Sequence, residues 1–208
     1  MPKLDVPPTK TSLLSIKANL AVAREGYTLL DEKRQILVME LMGRLELARR
    51  TQREVTERFR ELYAVLERAI VRSGAARLTA EAAGVQIAHN IQIVKNRVVG
   101  LDLPTVSVTV HEPGPQFGLS AHDAMSDEVL KGFSAILGVV ARLAEVETAV
   151  VRLATELKKT QRRVNALEKI FIPDYEETLS YIMSSLEERE REGFIVMKMI
   201  KARRQAAG

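Results

Sequence analysis

Residues 11–72 read TSLLSIKANLAVAREGYTLLDEKRQILVMELMGRLELARRTQREVTERFRELYAVLERAIVR, with no proline anywhere in the stretch. Apolar side chains recur there at alternating steps of three and four, the spacing of a coiled-coil seam. The seam runs Leu13, Ile16, Leu20, Ala23, Tyr27, Leu30, Arg34, Leu37, Leu41, Leu45, Ala48, Gln52, Val55, Phe59, Leu62, Leu66 and Ala69, and only Arg34 and Gln52 are not apolar. Two successive steps of four between Leu37 and Leu45 form a stutter, which unwinds a left-handed supercoil locally. Gly26 and Gly43 lie inside this helix at a cost of about 1 kcal/mol each relative to alanine. They are either tolerated surface glycines or points where a partner helix or subunit comes close.

A second helical stretch is expected from near His122 or Asp123, with Ser120 or Asp123 as N-cap, to about Arg204. Its seam includes Val129, Phe133, Ile136, Val140, Leu143, Val150, Leu153, Leu157, Thr160, Val164, Leu167 and Phe171, with an irregular step between Glu147 and Leu153. Pro173 removes a helical hydrogen bond, which predicts a kink near Phe171 before the pattern resumes through Leu179, Ile182, Leu186, Phe194 and Met197. A full break into two helices is the alternative. Between the arms, from Ser73 to about Asp123, glycine, proline and β-branched residues replace the heptads. Residues 78–84 suit a short Ala-rich helix. Ile87, Ile91 and Ile93, then Val106, Val108 and Val110, alternate as two half-buried strands of a β-hairpin that reverses within Asn96 to Pro104. Residues 111–118, HEPGPQFG, read as a loop.

The organisation is therefore an N-terminal arm (1–72), an insertion with a short helix and hairpin (73–122), and a C-terminal arm (123–208) kinked near Pro173. At about 1.5 Å rise per residue the arms span roughly 90 and 120 Å. Each has one narrow apolar stripe, so the simplest way to bury both is against each other, and an insertion at one end makes that pairing antiparallel. The fold class is mainly α: a long antiparallel two-helix coiled coil with a small β-hairpin insertion.

Composition narrows the function. Aromatic residues make up 4% of the 208 positions and tryptophan is absent, as in long helices rather than sheet-built cores. The absence of cysteine rules out disulfides, thiolate zinc sites and thiol nucleophiles, and fits a reducing cytoplasmic setting. No run of about 18 apolar residues occurs and the opening MPKLDVPPTK has no apolar core, so direct membrane insertion is not expected. The net charge is +4, and Lys198, Lys201, Arg203 and Arg204 account for it numerically. Elsewhere Arg and Glu alternate as on solvated helix faces, which argues against nucleic-acid binding.

No phosphate-cradling glycine loop is present, so no nucleotide cofactor is expected. His89, His111 and His122 are scattered and are expected to be solvated or locally bonded rather than metal ligands. Glu176, Glu177, Glu187 and Glu188 belong to a polar helix face rather than to acid–base chemistry. The tyrosines Tyr27, Tyr63, Tyr175 and Tyr181 are single rings at helical positions, suited to packing or partner contact. Met183, Met197 and Met199 beside Phe194 suit either a core or an adaptable interface. No catalytic residue, metal ligand or cofactor is assigned.

Three blocks together resemble the D subunit of V-type and A-type rotary ATPases. The first holds Pro8-Thr9-Lys10, Leu14, Lys17, Leu20, Ala23, Gly26, Leu29-Leu30 and Lys33-Arg34, and the second holds Asn96, Gly100 and Pro104. The third and most specific is Arg162-Arg163-Val164-Asn165-Ala166-Leu167-Glu168, followed by Ile172-Pro173, Tyr181-Ile182, Glu190-Arg191-Glu192, Phe194 and Lys198. Gln35 departs from the acid that many members carry after Lys-Arg.

The resemblance implies a non-catalytic central-stalk subunit, the rotor axle, whose paired ends penetrate a hexamer of catalytic and non-catalytic nucleotide-binding subunits. It implies an F-like central-stalk subunit on the side of the shaft and a socket subunit above the membrane ring at its lower end. The chain would couple ATP synthesis or hydrolysis to ion transport, with protons the expected ion, and would be cytoplasmic and peripheral to the membrane through the complex. On this reading the tip spans Thr9 to Tyr27 and Phe194 to Arg204. Its candidate partner-binding residues are Lys10, Lys17, Phe194, Met197, Lys198, Lys201, Arg203 and Arg204, with Ile200 adding to an apolar bearing. The heptads alone equally permit a static scaffold or tethering coiled coil.

Overall fold

A computed structural model describes residues 6–85, 89–109 and 124–206. The proposed loop at 111–118, the caps Ser120 and Asp123, His122, Ile87 and Val110 lie outside the described residues. Helix α1 runs Lys10–Ser73 and α2 runs Ala75–Ala83. The strands β1 (Asn90–Val98) and β2 (Leu101–Thr109) pair antiparallel. Helix α3 (Ala124–Ala166) passes through a π-helical turn (Leu167–Phe171) into α4 (Ile172–Ala206). The fold is thus mainly α, two long helical arms paired antiparallel, with one small hairpin.

Helix α1 starts where Pro7 and Pro8 give way to Thr9, whose Oγ1 accepts the Ser12 N–H at 3.1 Å, a side-chain N-cap. It stops at Gly74, whose φ of 85° ends the right-handed winding. The chain divides into two compact units, Met1–Gln35 with Leu157–Gly208, and Ile36–Glu156.

In the first unit, Ile16, Leu20 and Ala23 of α1 are buried, as are Thr160, Val164, Thr178 and Ile182 of the other arm. Three cross-arm contacts fix the direction. Arg34 Nη1 donates to Gln161 Oε1 at 3.2 Å, Arg24 Nη2 meets Glu176 Oε1 at 2.6 Å, and Lys10 Nζ lies 3.3 Å from Glu190 Oε1. As numbers fall on one arm they rise on the other.

Pro173 does not break the arm. It lies directly after the π-helical turn, in which the Ile172 N–H bonds to the Leu167 carbonyl, and the wider turn accommodates the missing N–H, so the helical path continues with Ala166 and Ile172 both right-handed. A π turn holds one extra residue, so the seam steps from Leu167 to Tyr175 and Thr178. Phe171, expected in the seam, is turned out and 48% exposed.

In the second unit, Leu37, Val55, Leu62, Ala69, Ile136, Val146, Ala149 and Leu153 form the core. Two seam positions differ from expectation. Gln52 is exposed and Thr51 is buried in its place: counting about 3.6 residues per turn from Leu37, the fourth turn falls nearer 51 than 52. The irregular step before Leu153 is filled by Val146 and Ala149. Gly132 lets α3 approach α1 closely, since a Cβ there would overlap Leu62 Cδ1, whereas nothing lies within 4 Å of a Cβ built at Gly26 or Gly43. Within this chain the latter two behave as surface glycines. Tyr63 stacks on Phe59 (5.9 Å between centroids) and presents its edge to Phe133 at 6.3 Å.

The hairpin turns on Val99 and Gly100 alone, with φ of 51° and 78°. Both values are positive, as the twist-matched two-residue turn requires. Strand β2 is fastened edge-on to α3: Glu145 Oε2 accepts the Val106 N–H at 2.7 Å, and Arg152 Nη1 donates to the Asp102 carbonyl at 2.5 Å. Glu145 and Arg152 are seven residues apart and share one helix face. Pro104, between the two clamped residues, has no N–H to satisfy on that edge, which is why a proline is tolerated there.

The half-buried strands expected from alternation are found on β2 alone, where Val106 and Val108 are half-buried, while Ile91 and Ile93 on β1 are exposed. In the register Ile91 faces Val108 and Ile93 faces Val106, while the buried Leu103 belongs to the opposite face of the sheet. The Ile/Val face is therefore bare on β1 and partly covered on β2. With β2 as its sole strand partner among the described residues, β1 is exposed almost throughout. His89 also departs from expectation: its Nδ1 is buried and has no hydrogen-bond partner among the described residues.

Candidate functional site

The last firm packing of α4 is at Ile182, which is fully buried, followed by the half-buried Ser185 and Leu186. Beyond them every residue from Glu187 to Gln205 is exposed. The reason is an inequality of length. Pairing toward the end of α4 closes with Lys10 on Glu190 and with Arg189 Nη1 donating to the Pro8 carbonyl at 2.9 Å. Helix α1 begins at Lys10, so Arg191 to Ala206 has no helical partner among the described residues. That stretch is roughly 24 Å long at 1.5 Å per residue.

What it carries is unusual for a solvated helix. Phe194, Ile195, Val196 and Met197 are consecutive, so at about 100° per residue they face four different directions. Met199 and Ile200 fill the gaps, and all six are between 49% and 65% exposed. The result is an apolar collar around the circumference, interrupted in the one sector between Phe194 and Ile195 where Lys198 stands. Lys198 lies over the Phe194 ring at 5.3 Å, one turn away. Lys201, Arg203 and Arg204 follow as a basic end, the sign that the negative end of the helix macrodipole favours.

Of the sequence candidates, the structure gathers Phe194, Met197, Lys198, Lys201, Arg203 and Arg204 on this one overhang. Lys10 is set at its base against Glu190. That ion pair holds little energy, because its side chains are 80% and 68% exposed. Lys17 shares the exposed face of α1 with Lys10, seven residues on, and is not in contact with the overhang residues among the described contacts. Sequence reasoning missed Ile195 and Val196, which complete the collar. The available signal was the unbroken run Phe-Ile-Val-Met in a chain otherwise patterned in threes and fours.

A second apolar row was also missed. Leu14, Val22 and Leu29, at spacings of eight and seven on one face of α1, are all more than half exposed. No group of three or more His, Asp or Glu side chains among the described residues is placed to hold a metal ion, and no helix is long and apolar enough to cross a membrane.

Residues 12–202 match the family of ATP synthase D subunits. The chain is 35% identical to the V-type ATP synthase D subunit of Thermotoga neapolitana, over 95% of this chain and 98% of that one. It is 37% identical to a V-type ATP synthase D subunit of Treponema pallidum, the one numbered 2 in that organism, over 97% of both chains. It is 35% identical to the A-type ATP synthase D subunit of Thermococcus kodakarensis, over 96% of this chain and 94% of that one.

Proposed function

Because the chain belongs to the family of ATP synthase D subunits, and so is a component of a V/A-type ATPase, we propose that it is the non-catalytic axle of that complex. The observation that carries this reading is the apolar collar on the overhanging end of α4. A helix that is apolar on one side lies in a groove, but one that is apolar on nearly every side has to be enclosed. A ring of surrounding subunits encloses it; a flat docking surface does not. An apolar collar is also a poor place for fixed ion pairs and hydrogen bonds, so a shaft can turn within its sleeve without breaking strong directional contacts.

On this reading Phe194, Met197 and Ile200 form the bearing, and Lys198, Lys201, Arg203 and Arg204 meet acidic surfaces deeper in the hexamer. Lys10 and Lys17 contribute from α1 below the collar. The bare row Leu14, Val22 and Leu29 adds a second surface for subunits beside the shaft. Because one arm passes the end of the other and the two carry different side chains, the shaft is asymmetric. Rotation then presents different faces to otherwise equivalent catalytic interfaces and biases each toward a different nucleotide state, which is coupling by differential contact. An F-like subunit and a socket subunit at the membrane ring complete the path to ion transport, and the chain remains peripheral to the membrane.

The test is removal of residues 194–208 in a reconstituted complex. Loss of torque and of coupled ATP hydrolysis is expected, and unchanged values of both would defeat the tip assignment. The static scaffold is separated by assembly: an axle enters a catalytic hexamer as one copy to six, and a scaffold does not.

A further inference from the structure

We propose that the outer edge of β1 accepts an extended, acidic segment of another protein as a third strand. This goes beyond the axle reading and does not depend on it. The starting point is the alternation of an antiparallel ladder, in which every second residue points its N–H and C=O away from the partner strand. On β2 the outward set is identified by its bonds: the Val106 N–H and the Asp102 carbonyl both go to α3. Their register partners on β1 are Ile93 and Arg97, so Ile91, Ile93, Lys95 and Arg97 form the outward set on the opposite edge. No hydrogen bond engages the backbone groups of these four among the described residues.

The two edges of one hairpin are thus treated differently. The β2 edge is closed by Glu145 and Arg152 and by a proline, devices that protect a strand from pairing with other chains. On β1, Ile91 and Ile93 are 60% and 67% exposed and Val94, on the other face, is 56% exposed. Half of the strand therefore offers β-branched side chains on both faces beside an open ladder, which is the surface a cross-strand neighbour covers.

The other half selects the occupant. Lys95 and Arg97 are exposed and form no ion pair among the described residues. A strand that places apolar residues opposite Ile91 and Ile93 and carboxylates opposite Lys95 and Arg97 satisfies ladder, packing and charge in one register. Pairing of β1 with a second copy of itself satisfies the ladder but brings four cations onto adjacent strands, which like-charge repulsion disfavours.

The experiment uses the full chain and two synthetic nine-residue peptides of alternating valine and threonine. One carries glutamate at the positions facing Lys95 and Arg97; the other carries lysine there. Amide hydrogen exchange is read residue by residue. The acidic peptide is expected to slow exchange at Ile91, Ile93, Lys95 and Arg97, while Gln92, Val94 and Asn96, already bonded to β2, change little. Ile93→Pro removes one outward N–H without touching the β1–β2 ladder, just as Pro104 does on β2, and is expected to abolish the effect.

The double variant Lys95→Glu with Arg97→Glu leaves the backbone alone, so it keeps the test sharp if the proline loosens the hairpin. It is expected to weaken the acidic peptide roughly tenfold and to favour the lysine peptide. No protection at about 1 mM acidic peptide, equal protection by both peptides, or no change in peptide affinity in the charge-reversed chain overturns the proposal. So does protection that grows with protein concentration without peptide, since that identifies a second copy as the occupant.

Discussion

Gly43→Ala and Gly132→Ala make the same chemical change in two helices and should differ in effect. In a helix interior alanine is favoured over glycine by about 1 kcal/mol. At Gly43 nothing lies within 4 Å of the added Cβ, so the isolated chain should gain about that amount, which for a chain of this size raises Tm by about 2–4 °C. At Gly132 the same Cβ overlaps the Cδ1 of Leu62, itself 7% exposed. Overpacking costs about 1–3 kcal/mol, less what Leu62 recovers by moving its methyl into the cleft it lines with Val65, Gly132 and Ile136, so the gain at Gly132 falls below that at Gly43. Urea unfolding of the two variants beside the parent chain reads the difference, and a Leu62→Ala background, which vacates the space, should restore the gain at 132. Equal stabilisation at both positions, or a loss at Gly43, would refute the reasoning. The Gly43 variant has a second use. If a partner subunit packs closely at Gly43 in the complex, the variant is more stable alone yet assembles less tightly.

Three further outcomes are expected. Val99 is a β-branched residue held at φ 51°, a conformation that costs an L-residue roughly 1–2 kcal/mol, so Val99→Asn should slow amide exchange at the bonded positions Leu101 and Leu103. Ile182 is fully buried in the seam, so Ile182→Ala should destabilise by about 2–5 kcal/mol, seen as a lower urea midpoint. The pair Phe194→Ser and Met197→Ser should leave the isolated chain within about 0.5 kcal/mol of its parent, because both side chains are exposed, while lowering ATP hydrolysis coupled to rotation in the assembled complex.

The arms were readable in the sequence because a seam at steps of three and four admits only one way to wind, and two such stripes in one chain have an obvious partner in each other. The misplacements share a cause. Gln52 yielded to Thr51 because heptad counting assumes supercoiled winding where a stutter straightens the helix. Phe171 left the seam because a proline announces trouble in the preceding turn without saying whether the helix bends, breaks or widens. In the hairpin, alternation marked Ile91, Ile93, Val106 and Val108 as sharing a face, which they do. It could not mark how far the cover on that face reaches, which includes Val106 and Val108 on β2 and stops short of Ile91 and Ile93 on β1. The chemical character of the candidate tip was legible as apolar and basic residues close together. Its bareness was not, because that depends on where α1 begins.

An orphan copy of this chain is expected to be short-lived. Arg191, Lys198, Lys201, Arg203 and Arg204 stand along the uncovered final turns, each a cleavage point for trypsin-like proteases. Little packing there opposes the local fraying that lets a protease grip the backbone. A copy sheathed by its neighbours would escape such trimming. Surplus copies would then be culled from that uncovered end, keeping supply matched to the number of complexes built.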